Sequence, residues 1–507
     1  MKEYNAVLDC EVDLKAVEKI NYTFAKTHQL IPIRMKNNTL YVAMADPFHI
    51  VAVDNLRHMT GMDIEVLTFS IEEIESVIDL YYEKQQVEAA AQLFKENTEN
   101  TSYVSQEKVE NNYIDEAPIV KMVNGILKQG FRLEASDIHI EPFKDSLRIR
   151  YRINGTLKTV MDYDVEFLPA IATRIKVIAN LDISEQRKPQ DGKIILPVKE
   201  ELKELRVSII PTIHGEKIVL RLTAKSIIYE DIQGLGFLRK DLAIFKKMIK
   251  KPNGILLATG PTGCGKSTTL YAALHQLNQE TTNIVTIEDP VEADIKGINQ
   301  MQVNPKAGLE FASALRYVLR QDPDIIMVGE IRDKETAQLS IKAALTGHLV
   351  LSTLHTNDAI STVVRLLDMG IDPFLIGSTL LGVISQRLVR KLCPKCKSTY
   401  LPSKEEMKFL NISESILLFR SEGCSYCNFL GYQGRTGLYE ILFISPSIRQ
   451  MIYQNQSPHQ LTEQALKEGM TPLFYHGCNL VLTGHTTIEE LLRITYSVDE
   501  KNLYERR

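Results

Sequence analysis

The alternation of apolar and polar positions divides the chain into segments of different character. Residues 1–84 mix strand-like and helix-like runs, "TLYVAMADP" beside "IEEIESVIDLYYEK", and predict a small α/β or α+β domain. Residues 85–113 are rich in Gln, Asn, Glu and Ser; their first half has helical character and their second half no period, which predicts a linker. A helix at "APIVKMVNGILKQGFRL", strands at "LRIRYRI" and "RVSIIP" and a helix at "FLPAIATRIKVIANL" predict a second α/β domain over 114–228. From 229 to 392 apolar strands alternate with helices, the pattern of a parallel sheet covered on both faces. A cysteine-bearing segment, 393–442, and a helical tail, 443–507, follow without internal repeats.

At roughly 150 residues per domain, 507 residues suit three domains or more. Charged residues at 24% and hydrophobic ones at 44% fit globular domains with sizeable cores and exclude general disorder. A net charge of only −5 disfavours nucleic-acid binding driven by bulk charge. The opening "MKEYNAVLDCEVDLK" lacks the apolar core of a signal peptide. The run "PFLIGSTLLGVISQ" falls short of the roughly 18 apolar residues that span a bilayer. Cytoplasmic placement is expected, with any membrane association made through a partner.

The stretch "LLATGPTGCGKSTTLYAAL" carries the first chemistry. Gly260, Gly265, Lys266 and Ser267 fill every fixed position of G-x-x-x-x-G-K-[ST], between an apolar strand and a helix. The loop Gly260, Pro261, Thr262, Gly263, Cys264, Gly265 can wrap a polyphosphate with its N–H groups and the positive end of the next helix. Lys266 suits the β/γ oxygens, Ser267 a Mg²⁺ and Thr268 the helix start. Three later apolar runs end in groups suited to the same chemistry: "IVTIEDP" in Glu288 and Asp289, "IIMVGEIRD" in Glu330, and "LVLSTLHTN" in His355. Parallel strands bring their carboxyl ends to one edge, so these groups are expected to converge on Lys266 and Ser267. Local capping of a following helix or turn is the alternative for each, a minor one for Glu330 and Glu288 and an even one for His348.

Two further patterns stand apart from the phosphate loop. If "PTIHGE" is a hairpin loop, Ile210 pairs with Lys217 and Arg206 lies opposite Arg221. Like charges held opposite call for an anion or carboxylate between them, which suggests a phosphate contact, although a solvated basic face with nearby acids also accounts for the pair. "CPKC" (Cys393, Cys396) and "CSYC" (Cys424, Cys427) are separated by 27 residues, the signature of a four-thiolate Zn²⁺ site, with a redox dithiol or disulfides as alternatives. Cys10, Cys264 and Cys478 read as ordinary thiols.

"GPTGCGKSTTLY", "TIEDPVE", "DPDIIMVGEIRDKETA" and "TGHLVLSTLHTNDA" resemble, in order and spacing, the Walker A, aspartate box, Walker B and histidine box of the ATPases that drive type II secretion and type IV pilus assembly. "ASDIHIEP", "RIRYRING", "ISEQRKPQDGKI", "RVSIIPTIHGEKIVLRL", the cysteine pairs and "GYQGRTGLYEIL" extend the resemblance over nearly the whole chain. It implies a RecA-like P-loop ATPase domain preceded by a PAS-like domain and a small N-terminal domain, with a tetracysteine zinc subdomain. It further implies a homo-hexamer using ATP and Mg²⁺ against a polytopic inner-membrane platform protein and cytoplasmic assembly proteins. Glu288 and Glu330 would act at the site, His348 and His355 would sense the nucleotide, and Arg206 and Arg221 would serve as arginine fingers. Retraction motors of the superfamily lack the cysteine pairs, which favours pilus assembly or secretion, and the first 84 residues turn the expectation to pilus assembly with type II secretion as the alternative. Gln186 replaces a first arginine common in the family, and the first 84 residues lack the "RLG" opening of its cyclic-di-GMP-binding version, so that ligand is not predicted. A nucleic-acid translocase and a nucleotide-dependent scaffold are the competing classes.

Overall fold

A computed structural model describes residues 12–71, 73–75, 77–78, 81–82, 118–198, 201–222, 231–414, 416–427 and 430–495. The whole of the 85–113 linker and Cys10 lie outside them. The chain forms two compact units whose main boundary falls between Ala224 and Lys225.

The first unit holds two sheets among the described residues. β1 (Leu30–Lys36) pairs antiparallel with β2 (Thr39–Met44), and β2 pairs parallel with β3 (Asp63–Thr68) across the helix Ile50–Thr60. The second sheet runs antiparallel throughout in the order β6-β5-β4-β9-β8-β7. Its strands are β4 (Asp137–Pro142), β5 (Leu147–Ile153), β6 (Thr156–Tyr163), β7 (Gln190–Val198), β8 (Glu201–Thr212) and β9 (Gly215–Leu222). A strand turns alternate side chains to opposite faces, and "LRIRYRI" does so cleanly. Leu147, Ile149, Tyr151 and Ile153 are buried in one core with the helices Pro118–Arg132 and Leu168–Ile178, while Arg148, Arg150 and Arg152 face the other way. Ile210 lies opposite Lys217 and Arg206 opposite Arg221, the register that the hairpin loop implies.

The second unit is built on a seven-stranded sheet, order β12-β11-β13-β14-β10-β15-β18. The strands β10 (Gly254–Thr259), β11 (Ile284–Glu288), β12 (Asn299–Gln302), β13 (Ile325–Val328), β14 (Leu349–Leu354) and β15 (Leu380–Leu392) are parallel. Ile255 and Leu257 of β10 enter one apolar layer, Leu256 and Ala258 the other, so both faces are covered. β16 (Lys397–Tyr400) and β17 (Leu418–Ser421) form a separate antiparallel pair. β18 (Tyr432–Phe443) returns antiparallel to β15. Residues 432–442, grouped by their position in sequence with the cysteine segment, are thus the edge of the large sheet: a chain leaving β15 for a short excursion re-enters most simply as its hairpin partner.

Lys176 and Glu216 form an ion pair at 2.7 Å inside the first unit, with the Lys176 side chain 1% exposed. The same ammonium donates to the Glu185 carbonyl at 2.8 Å and so ties the "SEQRKPQ" loop to the helix Leu168–Ile178. Removing one partner strands a buried charge, so K176M is expected to destabilise the unit by about 3–5 kcal/mol. In chemical denaturation, K176M combined with E216L should recover most of that loss.

Candidate functional site

The phosphate loop sits at the carboxyl end of β10, between β14 and β15. Gly260 adopts φ +142°, and a Cβ there would meet the Gln386 carbonyl oxygen at 2.4 Å, which restricts the position to glycine. The helix Lys266–Leu277 begins directly after the loop. The Lys266 ammonium donates to the Gly260 carbonyl at 2.8 Å and the Pro261 carbonyl at 3.2 Å, and burial lowers its pKa. Ser267 is exposed at the first turn, where its hydroxyl can reach a metal beside bound phosphates. Burial pushes the Cys264 and Cys478 thiols up, Cys478 to about 12, which keeps both protonated at neutral pH.

Glu330 and His355 come to the same edge. Glu330 Oε2 lies 3.6 Å from His355 Nε2, and Oε1 accepts from Arg332 Nη2, which also lies 3.7 Å from Asp289 Oδ2. Burial and the Lys266 ammonium hold His355 below the ordinary imidazole range, so its ring is neutral at pH 7. The Glu330 side chain is 18% exposed, open enough to meet a substrate water. Gly329 takes the place where many P-loop enzymes carry aspartate, and its geometry supplies the reason. A Cβ there would press on the Ile287 carbonyl oxygen at 3.1 Å and the Glu288 Cα at 3.4 Å.

Glu288 differs sharply from Glu330. It is 3% exposed, and both carboxylate oxygens are engaged. Tyr271 donates its hydroxyl to Oε2; Thr286 donates to Oε1 at 2.5 Å and Gln300 at 3.1 Å. Burial, then the Glu288 carboxylate, raise the Tyr271 phenol above its ordinary range. A carboxylate so enclosed ties the helix Lys266–Leu277 to β11 through Tyr271.

His348 does not join the constellation. It precedes β14, at the amino ends of the strands, where its Nδ1 lies 2.9 Å from the Ala343 carbonyl. His355 follows the other end of the same six-residue strand, about 20 Å away at strand rise. The resemblance groups the two histidines; β14 sets them at its opposite ends.

The sulfurs of Cys393, Cys396, Cys424 and Cys427 all lie within 4.8 Å of one another. The β16–β17 pair sets Lys397 opposite Ser421, which brings the two C-x-x-C turns together at its base. Cys424 Sγ and Cys427 Sγ are 3.8 Å apart, far beyond a disulfide and equal to the edge of a tetrahedron with metal–sulfur bonds of about 2.3 Å. The backbone N–H groups of Cys424 and Gly431 each point to Cys427 Sγ at 3.2 Å, as suits a thiolate. The donor set fits a tetrahedral zinc ion.

The family described as "Type II/IV secretion system protein" matches residues 112–493 of the 507. The chain belongs to that family. A MshEN domain matches residues 6–88. The type IV pilus assembly ATPase PilB of Myxococcus xanthus is 42% identical over 502 residues, 96% of this chain and 87% of that protein. The type II secretion system ATPase E of Vibrio cholerae is 42% identical over 457 residues, 89% of this chain and 91% of that protein. Among solved structures, the pilus retraction motor PilT with bound ADP is 27% identical, with a TM-score of 0.51, and matches 75% of this chain and 98% of that one. The second unit of this secretion-family ATPase is accordingly a RecA-like P-loop core. Among the described residues no helix is long and apolar enough to cross a membrane.

Several residues of this ATPase site escape a reading by strand ends. Gln386 and Arg387 lie inside β15, yet Gln386 accepts from Thr269 at 2.8 Å behind the phosphate loop and Arg387 donates to the Asn357 carbonyl at 2.8 Å. Only the pairing of β15 with β10 brings them there. Tyr271 ends the "GPTGCGKSTTLY" stretch without a role assigned to it, and Gln300 lies outside the quoted motifs. Y271F leaves the buried Glu288 short of one donor and the Glu292 N–H short of its acceptor, and should destabilise the chain by about 1–3 kcal/mol in chemical denaturation.

Proposed function

We propose that the protein is a cytoplasmic homo-hexameric motor, working at the inner face of the membrane, that couples ATP hydrolysis to type IV pilus assembly through a membrane platform protein. The observation that carries the motor reading is the convergence of Lys266, Glu330 and His355 on the carboxyl edge of the parallel sheet. The loop N–H groups and Lys266 bind the phosphates, and Glu330 takes a proton from the attacking water, with neutral His355 beside it to report the state of the γ-phosphate. A Mg²⁺ held by Ser267 would neutralise charge on the β and γ oxygens. Glu288 acts through its brace on the helix that carries Lys266 and Ser267. Arg206 and Arg221 serve as fingers to phosphate charge, each contributing from the polar face of the antiparallel sheet. Zinc held by the four cysteines closes a structural site and fixes the β16–β17 arm as a docking element. No nucleic acid is expected to stimulate turnover.

Pilus assembly is favoured on the character of the first 84 residues; overall similarity does not separate it from secretion, since the pilus assembly ATPase matches 96% of this chain and type II secretion system proteins match up to 95%. Type II secretion is the second reading, supported by equal identity over 89%. Deletion of the gene should abolish surface pili, and a Glu330→Gln copy should fail to restore them; normal piliation with loss of a secreted enzyme transfers the motor to secretion.

K266A should lose nucleotide binding, since the ammonium meets phosphate charge in the ground state. E330Q should keep binding while its hydrolysis falls by about 10²–10⁴-fold, the worth of a general base. Near-normal hydrolysis by E330Q removes Glu330 from that role. Elemental analysis of protein purified without added metal should find about one zinc per chain, as a closed four-thiolate site holds. C424S should lower that content, and folding at full stability with no zinc refutes the site.

A further inference from the structure

Five of the charges on the polar face of the antiparallel sheet fall in one straight row, while Glu141 with Arg150 and Lys217, and Glu204 beside Lys193, lie off it. Pairing sets Arg152 of β5 opposite Asp137 of β4, Asp137 opposite Arg221 of β9, Arg221 opposite Arg206 of β8, and Arg206 opposite Lys193 of β7. At about 4.8 Å between strands, four cations and one carboxylate share a strip of about 19 Å. Such a strip repels itself unless anions meet it; within the row Asp137 is the anion that the chain supplies, and beside it Glu204 lies 3.6 Å from Lys193.

Asp137 is 6% exposed, whereas the Arg221 side chain is 66% exposed. Asp137 Oδ1 accepts the Arg221 Nε–H at 3.0 Å. Oδ2 accepts the Ser136 hydroxyl at 2.9 Å and lies 3.4 Å from Arg152 Nε. The carboxylate is therefore fixed from both sides and grips Arg221 by its stem. Nε–H is one of the five guanidinium donors; the other four sit at the outer end of the fork, the end that meets carboxylates and phosphates. An exposed arginine carries about 2 kcal/mol of rotamer entropy, and a grip at Nε removes much of it before any phosphate arrives. Stability does not explain the arrangement, because an ion pair to so exposed an arginine contributes only about 0–1 kcal/mol.

We infer that Asp137 is the positioning residue for Arg221, holding the guanidinium at Nε so that its outer donors are presented to nucleotide phosphate. The inference rests on the assignment of Arg221 as a finger. Arg152 shares the carboxylate from the opposite strand and keeps it from turning away.

The test is steady-state ATP hydrolysis by the full-length chain as wild type, D137A, R221A and D137A/R221A, with D137N as the conservative variant. R221A should lower kcat by about 10³-fold, the low end of an arginine finger's worth. D137A should lower kcat by about 10–100-fold through misplacement, with KM for ATP within about twofold. In the R221A background D137A should cost nothing further, and D137N, which keeps an oxygen where Nε–H needs it, should recover most of the rate. A merely structural Asp137 would instead add its loss to that of R221A. Full-rate hydrolysis by D137A alongside a slow R221A, or the same fold-loss in both backgrounds, overturns the positioning role alone. R221A at the wild-type rate overturns the finger assignment and the positioning role with it. Should D137A not fold, D137N carries the same cycle: a partial kcat loss that vanishes in R221A supports the role, and a loss that persists there overturns it.

Discussion

Everything at the phosphate loop depends on β10 running parallel between β14 and β15. That single constraint delivers three chain segments, distant in sequence, to one edge: the loop after β10, His355 after β14, and Gln386 with Arg387 within β15. β13 joins on the far side of β14 and brings Glu330. Hydrogen bonds in a parallel ladder are evenly spaced, so a slip of one residue in any strand would carry its functional group to the wrong face of the sheet. The geometry of the candidate site is thus a by-product of burying apolar runs such as "ILLA" and "IIMV" in two layers.

Two glutamates at neighbouring strand ends illustrate how environment divides labour between identical side chains. Glu288 spends both oxygens on Tyr271, Thr286 and Gln300 within a buried network, where a third change of partner would strand a polar group. Glu330 meets movable partners instead, an arginine two residues on and an imidazole across the edge. Exchange of Arg332 or His355 for a water costs Glu330 little, which is what proton transfer requires. On the function proposed above, the aspartate box would brace and the Walker B segment would react, a distinction carried by burial and hydrogen-bond partners.

Legibility in the sequence followed the range of the interaction. The phosphate loop, the strand ends at Glu330 and His355 and the two C-x-x-C turns are local patterns, and their surroundings match what those patterns imply. The Arg206–Arg221 register was legible too, because a short hairpin loop determines it. Asp137 was not legible as their neighbour, since it pairs with Arg221 across 84 positions of chain and only the strand order reveals it. The same long range hid Gln386 and Arg387, and it hid the return of residues 432–443 to the large sheet. His348 and His355 show the opposite case: the two ends of a strand are neighbours in sequence and far apart in space.

The edge of the sheet is also tied so that the loop and the histidine segment act as one body. Thr259, the last residue of β10, lies 2.6 Å from the Thr356 hydroxyl and donates to the Leu354 carbonyl at 3.0 Å. Thr356 reaches Thr362 at 2.7 Å, in the helix Ala359–Asp368, whose first N–H is taken by the buried Glu440 at 2.9 Å. Arg387 closes the circuit by holding the Asn357 carbonyl while its other terminal nitrogen holds the Gln386 carbonyl beside Gly260. Buried networks of this kind are stable when every member is satisfied and yield as a unit when one is displaced. A change at the γ-phosphate that moves His355 must therefore either leave Thr356 and Asn357 in place, confining the signal to one side chain, or carry the start of the helix Ala359–Asp368 with it. The second course moves a packed element against the sheet, and packed interfaces switch between discrete arrangements rather than deforming smoothly. A motor needs that discreteness, because a continuous deformation would dissipate the free energy of each hydrolysis before it reached a partner.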